Sequence, residues 1–266
     1  MPNAPAKTTR IMSIANQKGG VGKTTTAINL AAAFAEFGFQ VLVIDLDPQG
    51  NASTGLGIAS TSRDITTYDL LVDDVDLDKA IQKSTTENLS IIPATTDLSS
   101  ADMELFNTDN RSSLLKNALH SKAMRDKAFD YILIDCPPSL SLLTVNAMVA
   151  SDSVLVPLQS EFFALEGLSQ LMLTIREVRQ TANRDLRIEG VVLTMYDRRN
   201  NLSQMVDEDA REHLGDLVFD TRIPRNVRVS EAPSFAQPVL AYDTNSKGAT
   251  AYRDLAKEIR ARHTAA

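Results

Sequence analysis

The sequence predicts an α/β fold in which a mostly parallel, twisted sheet is covered by helices on both faces. Short apolar runs rich in Val, Ile and Leu recur along the chain, and helical patterns of apolar residues separate them. Such runs are typical of strands buried on both faces, and their alternation with helices implies right-handed crossovers in a parallel sheet. The predicted strands cover residues 11–15, 41–44, 89–92, 131–134, 154–158, 188–195 and 217–223.

Apolar residues at helical spacing predict helices between these strands. The first stripe ends before Gly38, a residue that suits a helix end, and the last helix is expected over about 247–260. No linker rich in Pro or Gly divides the chain, so we expect one domain over residues 10–262. A short flexible N-terminus (1–9) and a flexible C-terminal tail (263–266) would flank it. The stripes are Ala27, Leu30, Ala31, Phe34, Ala35; Leu165, Leu168, Met172, Ile175; and Tyr252, Leu255, Ala256, Ile259.

Composition limits the classes of protein that the chain can represent. Its 266 residues carry a formal net charge of -7, so a DNA site would have to be a local patch of Lys and Arg. A single cysteine, Cys136, excludes an internal disulfide and a metal site built from several thiolates of one chain. The N-terminus lacks the apolar stretch of a signal peptide, and no segment is apolar enough to span a bilayer. We therefore expect a cytoplasmic protein that does not bind membranes.

A glycine-rich loop follows the first predicted strand and leads into the first helical stripe. Within residues 16–26 the glycines allow a tight turn that points backbone N–H groups at phosphate oxygens. Lys23 is placed to reach the β- and γ-phosphates, and the Thr24 hydroxyl to ligate Mg²⁺. The sequence therefore predicts a P-loop that binds ATP with Mg²⁺ and hydrolyses it. Its expected nucleotide-binding residues are Lys18, Gly19, Gly20, Val21, Gly22, Lys23, Thr24 and Thr25.

This loop is a variant of the ordinary P-loop. The first glycine of the ordinary pattern would fall at Gln17, and a second lysine, Lys18, stands at the front of the loop. A dinucleotide-binding fingerprint is the competing interpretation, but its third glycine would fall at Thr25. A glycine-rich turn without a ligand is disfavoured because lysine and threonine accompany three glycines between a strand and a helix.

Aspartates stand at the ends of two further predicted strands. Because ligands of parallel sheets lie beyond the carboxyl ends of the strands, these side chains are expected to converge on the loop. Asp45 and Asp47 are two residues apart, so in an extended chain both would project to one side. One would approach the metal, and the other would hold an attacking water. Asp135 has the form of a Walker B aspartate that binds Mg²⁺ through water, although helix or loop capping is the alternative for any one aspartate.

Five blocks of the sequence resemble those of the deviant Walker A ATPases, and within them the chromosome-partitioning ParA/Soj proteins. The resemblance runs from about residue 10 to residue 260 and implies a P-loop NTPase-like fold. The first block is shared by the wider group, whereas the last two are more diagnostic of partition proteins. The blocks are residues 18–25, 45–51, 135–138, 157–167 and 223–233.

The resemblance implies roles for individual residues. Lys18 would be the signature lysine that crosses to the nucleotide of a second subunit, so that ATP binding builds a homodimer. Asp47 would position the attacking water. The implied catalytic residues are Lys18, Lys23, Asp45 and Asp47; the implied metal site is Thr24, Asp45 and Asp135; and Pro224, Arg225 and Asn226 match a stretch that lies near adenine in the family.

The same resemblance implies that the ATP-bound dimer binds DNA without sequence preference. Two copies of a weak basic patch on one rigid body would add their phosphate contacts. A ParB-like DNA-binding partner would stimulate slow intrinsic hydrolysis, in a nucleoid-associated protein that partitions a chromosome or a plasmid. No long extension precedes the first strand, so no helix-turn-helix domain is expected, which favours a chromosome. The matching cations are Arg199, Arg225, Arg228 and Lys247, although scattered arginines are usually solvated surface.

Other proteins of similar fold are the alternatives. A MinD-like membrane-associated positioning ATPase shares the phosphate loop and the paired aspartates, but residues 260–266 offer no apolar face to lipid. A nitrogenase-type reductase needs two cysteines per subunit, and this chain has only Cys136. An amidoligase-type synthetase, and a nucleotide-gated binding module with negligible turnover, remain open at this stage.

Overall fold

The computed structural model describes residues 9–73, 75–161 and 164–265, and within them eight strands form one sheet. The prediction of a mostly parallel sheet is confirmed, because only the short edge strand pairs antiparallel to its neighbour. In chain order the strands are β1 (Arg10–Ile14), β2 (Val41–Asp45), β3 (Gln82–Lys83), β4 (Leu89–Ile92), β5 (Tyr131–Asp135), β6 (Ser153–Gln159), β7 (Arg187–Tyr196) and β8 (Val218–Pro224). The sequence did not predict β3, which has only two residues.

The strands lie in the order β3-β4-β2-β5-β1-β6-β7-β8. This order places β5 between β1 and β2, and the pairing is in register at their carboxyl ends. Ile14 is opposite Asp135, and Asp135 is opposite Asp45. Three strands therefore deliver their last residues to one point, immediately before the glycine-rich loop.

Helices connect the strands. The long ones are α1 (Lys23–Glu36), α9 (Ala164–Thr181), α10 (Asn201–Leu214) and α13 (Lys247–Ala265), and α8 (Leu142–Ala150) is intermediate in length. The sequence did not predict the short helices that precede β5. These are α2 (Asn51–Gly55), α3 (Thr67–Val72), α4 (Leu77–Ala80), α5 (Ala101–Glu104), α6 (Leu114–Leu119) and α7 (Lys122–Asp126), while α11 (Val227–Glu231) and α12 (Val239–Tyr242) follow β8.

Side chains of the central strands alternate between two apolar cores, one on each face of the sheet. In β5, Ile132 and Ile134 join the core beneath α8 and α9, whereas Tyr131 and Leu133 join the core beneath α1 and α13. Tyr131 is stacked on Phe34 of α1 with ring centroids 4.1 Å apart. Burial of both faces explains why these strands read as continuous apolar runs.

The last helix is longer than the sequence predicted. We expected it to end near residue 260 and a flexible tail to begin at residue 263, but α13 continues to Ala265. The last turn is held to the sheet because His263 Nε2 lies 2.9 Å from Glu189 Oε1 on β7. Arg10 also donates to the His263 carbonyl oxygen at 3.4 Å. In the described ranges, no helix combines the length and apolar character that a membrane span requires.

Candidate active site

The glycine-rich loop connects β1 to α1 and shapes the N-terminus of that helix. Gly20 (φ 75°) and Gly22 (φ 88°) both have left-handed backbone conformations that favour glycine. Gly22 is the residue before the helix, and no side chain caps the first turn. The backbone N–H groups of that turn are thus left for an anion, and the helix dipole adds to their attraction.

Two residues that the sequence analysis did not select hold the loop in place. Asn16 donates to the Pro157 carbonyl oxygen at 2.8 Å and accepts from the Lys18 N–H at 3.0 Å. Thr194 of β7 donates its hydroxyl to the Val21 carbonyl oxygen at 2.8 Å. A lone hydroxyl in the apolar run of β7 was the available signal for Thr194, but its partner lies 173 residues away in the chain.

The two lysines of the loop have different environments. Lys23 is only 6% exposed, and its ammonium group donates to the Lys18 carbonyl oxygen at 3.0 Å. Burial lowers the pKa of Lys23, and the nearby Asp135 partly offsets this effect. Lys18 is more exposed, and its Nζ lies 3.1 Å from Glu161 Oε2, just beyond the end of β6. Lys23 therefore belongs to the interior of the loop, whereas Lys18 lies at its rim.

Asp135 ends β5 and is completely buried. Neither carboxylate oxygen has a hydrogen-bond partner in the part of the chain that the structure describes. Burial raises the pKa of Asp135 well above its ordinary value, and the neighbouring Asp45 raises it further, while Thr24 and Lys23 act in the opposite direction. A buried carboxylate without a partner is costly, and a hard cation satisfies it. Asp135 and Thr24 thus fit the predicted magnesium site.

Asp45 has a different environment, because both of its oxygens already accept hydrogen bonds. Oδ2 accepts from the Ser53 N–H at 2.8 Å and from the Ser53 hydroxyl at 2.7 Å, and Oδ1 accepts from the Asp47 N–H at 3.2 Å. Burial raises the pKa of Asp45 to about 6 despite these bonds. Ser53 also accepts from the Ala94 N–H at 3.0 Å. The geometry favours Asp45 as the residue that holds the turn after β2.

Asp47 lies in that turn rather than in an extended strand. The strand ends at Asp45, and the Gly50 N–H donates to the Asp47 carbonyl oxygen at 2.9 Å. The alternation of side chains in an extended chain therefore does not apply at Asp47, contrary to the sequence argument. The Asp47 carboxylate is largely buried and accepts from the Gln49 N–H at 3.0 Å. Its role in positioning water stays a prediction.

The segment predicted to lie near adenine is at the carboxyl end of β8. Pro224 ends the strand, and the Arg225 N–H donates to the Tyr196 carbonyl oxygen at 3.1 Å. Asn226 caps α11, because its Oδ1 accepts from the Arg228 N–H at 2.9 Å. The segment is three strands from β1, which is about 14 Å at the usual strand spacing. It lies along the same edge of the sheet as the loop.

The four cations predicted to bind DNA surround the carboxyl ends of β7 and β8. Arg199 pairs with Asp197 at 3.1 Å, and Arg228 pairs with Glu231 at 3.0 Å and with Asp243 at 3.3 Å. These pairs are intrachain and partly neutralise the two arginines. Arg225 lines a cavity of about 590 Å³ together with Glu161 and Asp197. Lys247 is exposed at the start of α13, beside α11.

A strand, a glycine loop with a buried lysine, and strand-end aspartates define a P-loop nucleotide-binding protein. A family model described as an AAA domain matches residues 9–188. Over 251 residues the chain is 58% identical to the chromosome partitioning protein ParA of Caulobacter vibrioides, covering 94% of this chain and 93% of that protein. It is 53% identical to the sporulation initiation inhibitor protein Soj of Bacillus subtilis, covering 95% and 98%. The chain belongs to the ParA/Soj family of AAA-domain proteins, as the sequence blocks indicated.

Solved structures share the fold over almost the whole chain. Cobyrinic acid a,c-diamide synthase from Mycobacterium smegmatis, with bound ATP analogue and magnesium, is 37% identical with a TM-score of 0.84, covering 97% of both chains. The cell division ATPase MinD of Pyrococcus furiosus is 29% identical with a TM-score of 0.78, covering 96% of this chain and all of that chain. The predicted P-loop NTPase-like fold is thereby confirmed.

Proposed function

We propose that this protein is an ATP hydrolase of chromosome partition, in which ATP binding gates formation of a homodimer on DNA. The observation that carries the proposal is the buried, unpartnered carboxylate of Asp135 beside Thr24 and Lys23. This group is costly in the protein alone and becomes favourable only when a cation and a phosphate chain complete the site.

Thr24 and Asp135 would hold Mg²⁺, the former through its hydroxyl and the latter through water. When bound, the ion neutralises charge on the β- and γ-phosphate oxygens. Lys23 and the backbone N–H groups of residues 19–25 bind the phosphates. Asp45, whose oxygens are already engaged, orients the turn that carries Asp47. Asp47 orients the attacking water, which is consistent with slow intrinsic turnover in a site that lacks its partner subunit.

Lys18 is assigned to the second nucleotide of a homodimer. Support comes from the division between the two lysines, because Lys23 is buried within its own loop while Lys18 lies at the rim with 35% of its side chain exposed. A cation contributed by a second subunit would complete each site only in the dimer, as an arginine finger does. Association would then depend on ATP.

Arg199, Arg225, Arg228 and Lys247 are assigned to non-specific DNA binding. Their location near the segment 224–226 supports this role, because a nucleotide bound beside that segment would couple DNA affinity to ATP. In a dimer the two copies would act together, so affinity should fall steeply with salt. A ParB-like DNA-binding partner is assigned as the activator of hydrolysis, on the basis of the family.

The test of the dimer is the solution mass with Mg²⁺ and a non-hydrolysable ATP analogue. Wild type should double its mass, Lys18→Ala should stay monomeric, and Lys83→Ala, an exposed lysine on β3, should behave as wild type. Asp47→Ala should dimerise with ATP yet fail to turn it over. A wild-type protein that binds the analogue without dimerising would refute the proposal.

The DNA assignment has a separate test. Arg225→Glu should abolish binding to duplex DNA and the stimulation of ATPase activity by DNA plus partner. Lys122→Glu makes the same change of charge on exposed α7 and should do neither. Equal DNA binding by Arg225→Glu and wild type would contradict the assignment.

A synthetase is the second candidate, because the Mycobacterium smegmatis neighbour carries the name of an amidation enzyme. A synthetase of this kind would hydrolyse ATP only with a small carboxylic acid and an amine donor. ATPase activity stimulated by DNA, with no such requirement, separates the two. For the MinD-like alternative, co-sedimentation with liposomes in ATP is the test. The apolar side of α13 is buried on the sheet, with Leu255, Ala256 and Ile259 inaccessible.

A further inference from the structure

Four arginines between the middle of α9 and the start of β7 have no partner within the described residues. Their guanidinium groups make no ion pair, hydrogen bond or ring contact there, and all four are exposed. In a chain with a net charge of -7, most other arginines are paired with acids, carbonyl oxygens or rings. These four are Arg176, Arg179, Arg184 and Arg187.

Three of the four line a groove, which we call the α9 groove. It has a volume of about 560 Å³ and combines guanidinium groups with an apolar floor. Arg176 and Arg179 are three residues apart on α9, so they lie on one face of the helix. The lining residues are Met172, Ile175, Arg176, Arg179, Gln180, Arg184 and Ile188.

Acidic residues close to the groove are few. Glu177 follows Arg176, which places it about 100° around the helix and therefore on the neighbouring face. Asp185 lies in the turn after α9, beside Arg184. Neither pairs with an arginine of the groove, so the local charge is positive.

The α9 groove is remote from the site described above. Arg187 begins β7 and Tyr196 ends it, so about 30 Å of strand separates the groove from the edge that carries Arg225. A ligand in the groove would therefore contact neither the glycine loop nor the four cations assigned to DNA.

We infer that the α9 groove binds an acidic peptide segment of a partner protein, one that carries an apolar side chain between its carboxylates. Arginine forks match carboxylates in a bidentate geometry, and unpaired arginines spend little energy in breaking existing contacts. Met172 and Ile188 are partly exposed, and a flexible methionine accommodates varied apolar side chains. A phosphodiester backbone would leave this apolar floor uncovered and would approach Glu177 and Asp185. The peptide is therefore favoured over nucleic acid.

The probe is a fluorescein-labelled peptide of about ten residues that alternates paired glutamates with leucine. Fluorescence anisotropy at physiological salt, about 0.15 M, compares the wild type with Arg176→Glu/Arg179→Glu. Lys83→Glu/Lys122→Glu changes the net charge equally at exposed positions elsewhere and is the matched control. A peptide with glutamine in place of glutamate tests the carboxylates, and one with serine in place of leucine tests the apolar floor.

The arginine double variant should bind the peptide at least about tenfold more weakly, and the lysine control should equal the wild type. Both altered peptides should bind more weakly to the wild type. ATPase activity and duplex DNA binding should be unchanged in the arginine variant. Equal peptide binding by both double variants would overturn the inference. It would also be overturned if the arginine variant lost affinity for DNA but not for the peptide.

Discussion

Lys18 Nζ lies 3.1 Å from Glu161 Oε2, so the lysine at the rim of the glycine loop is paired within its own chain. Glu161 is fixed in turn, because its N–H donates to the Gln159 carbonyl oxygen at 2.8 Å. If Lys18 crosses to a second subunit, this pair must break first. The contact therefore opposes dimerisation in proportion to its strength.

Glu161→Gln should release Lys18 and promote ATP-dependent association. The pair is partly exposed, with 35% and 47% of the two side chains accessible, so its contribution is about 0.2 to 1 kcal/mol. The protein concentration at half-dimerisation should fall by up to about fivefold. Sedimentation velocity with Mg²⁺ and a non-hydrolysable ATP analogue measures it. A dimer weakened by about tenfold would instead indicate that Glu161 contacts the nucleotide or the second subunit.

Asp135→Asn should separate stability from function. In the protein alone the substitution removes a buried carboxylate that has no partner among the described residues, so stability should rise by about 1 kcal/mol. The corresponding increase in Tm is about 2 to 4 °C. The wild type should gain stability from MgATP, whereas the variant should gain little. Differential scanning calorimetry with and without MgATP measures both effects, with the exposed Asp126→Asn as control. Equal MgATP stabilisation of Asp135→Asn and wild type would exclude the metal role.

Ser53→Ala should impair turnover through the turn that carries Asp47. The change removes the hydroxyl that donates to Asp45 at 2.7 Å and accepts from the Ala94 N–H at 3.0 Å. Misplacing a catalytic group by a small distance is costly, and we expect kcat to fall about tenfold with KM for ATP little changed. Steady-state ATPase assays measure this, with Ser60→Ala, an exposed serine, as control. A rise in KM at constant kcat would instead place Ser53 in nucleotide binding.

The sequence was sufficient to predict the central strands and the glycine loop because their signals are local. Buried parallel strands appear as apolar runs, and the loop requires its glycines, lysine and threonine at fixed spacing. Asp135 could be placed because strand ends of a parallel sheet meet at one edge.

Features that depend on contacts between distant residues could not be predicted. Thr194 contacts Val21 across 173 residues, and Lys18 contacts Glu161 across 143. Neither pairing has a periodic signal. The turn after β2 was missed for a related reason, because the bonds between Asp45 and Ser53 compete with extension of the strand. Side-chain bonds of this kind decide where a strand ends.

The end of α13 illustrates the same limit and gives a pH-dependent prediction. Burial alone would raise the pKa of Glu189, but hydrogen bonds from His263 and Ser153 outweigh it and lower the pKa below its ordinary value of 4.5. A carboxylate whose pKa is lower in the folded protein stabilises the fold above its unfolded pKa. That contribution is lost as the pH falls through the folded pKa.

Glu189→Gln should therefore reduce the free energy of unfolding by about 1 to 3 kcal/mol at neutral pH, because it removes a buried, charge-assisted bond to His263. The difference from wild type should narrow as the pH falls below about 4.5, where the unfolded wild-type carboxyl group also takes up a proton. Urea denaturation at a series of pH values measures the trend. Glu177→Gln on exposed α9 should show no such dependence. A constant difference across the acidic range would mean that the substitution costs packing rather than charge, and would remove Glu189 as the anchor of the last turn of α13.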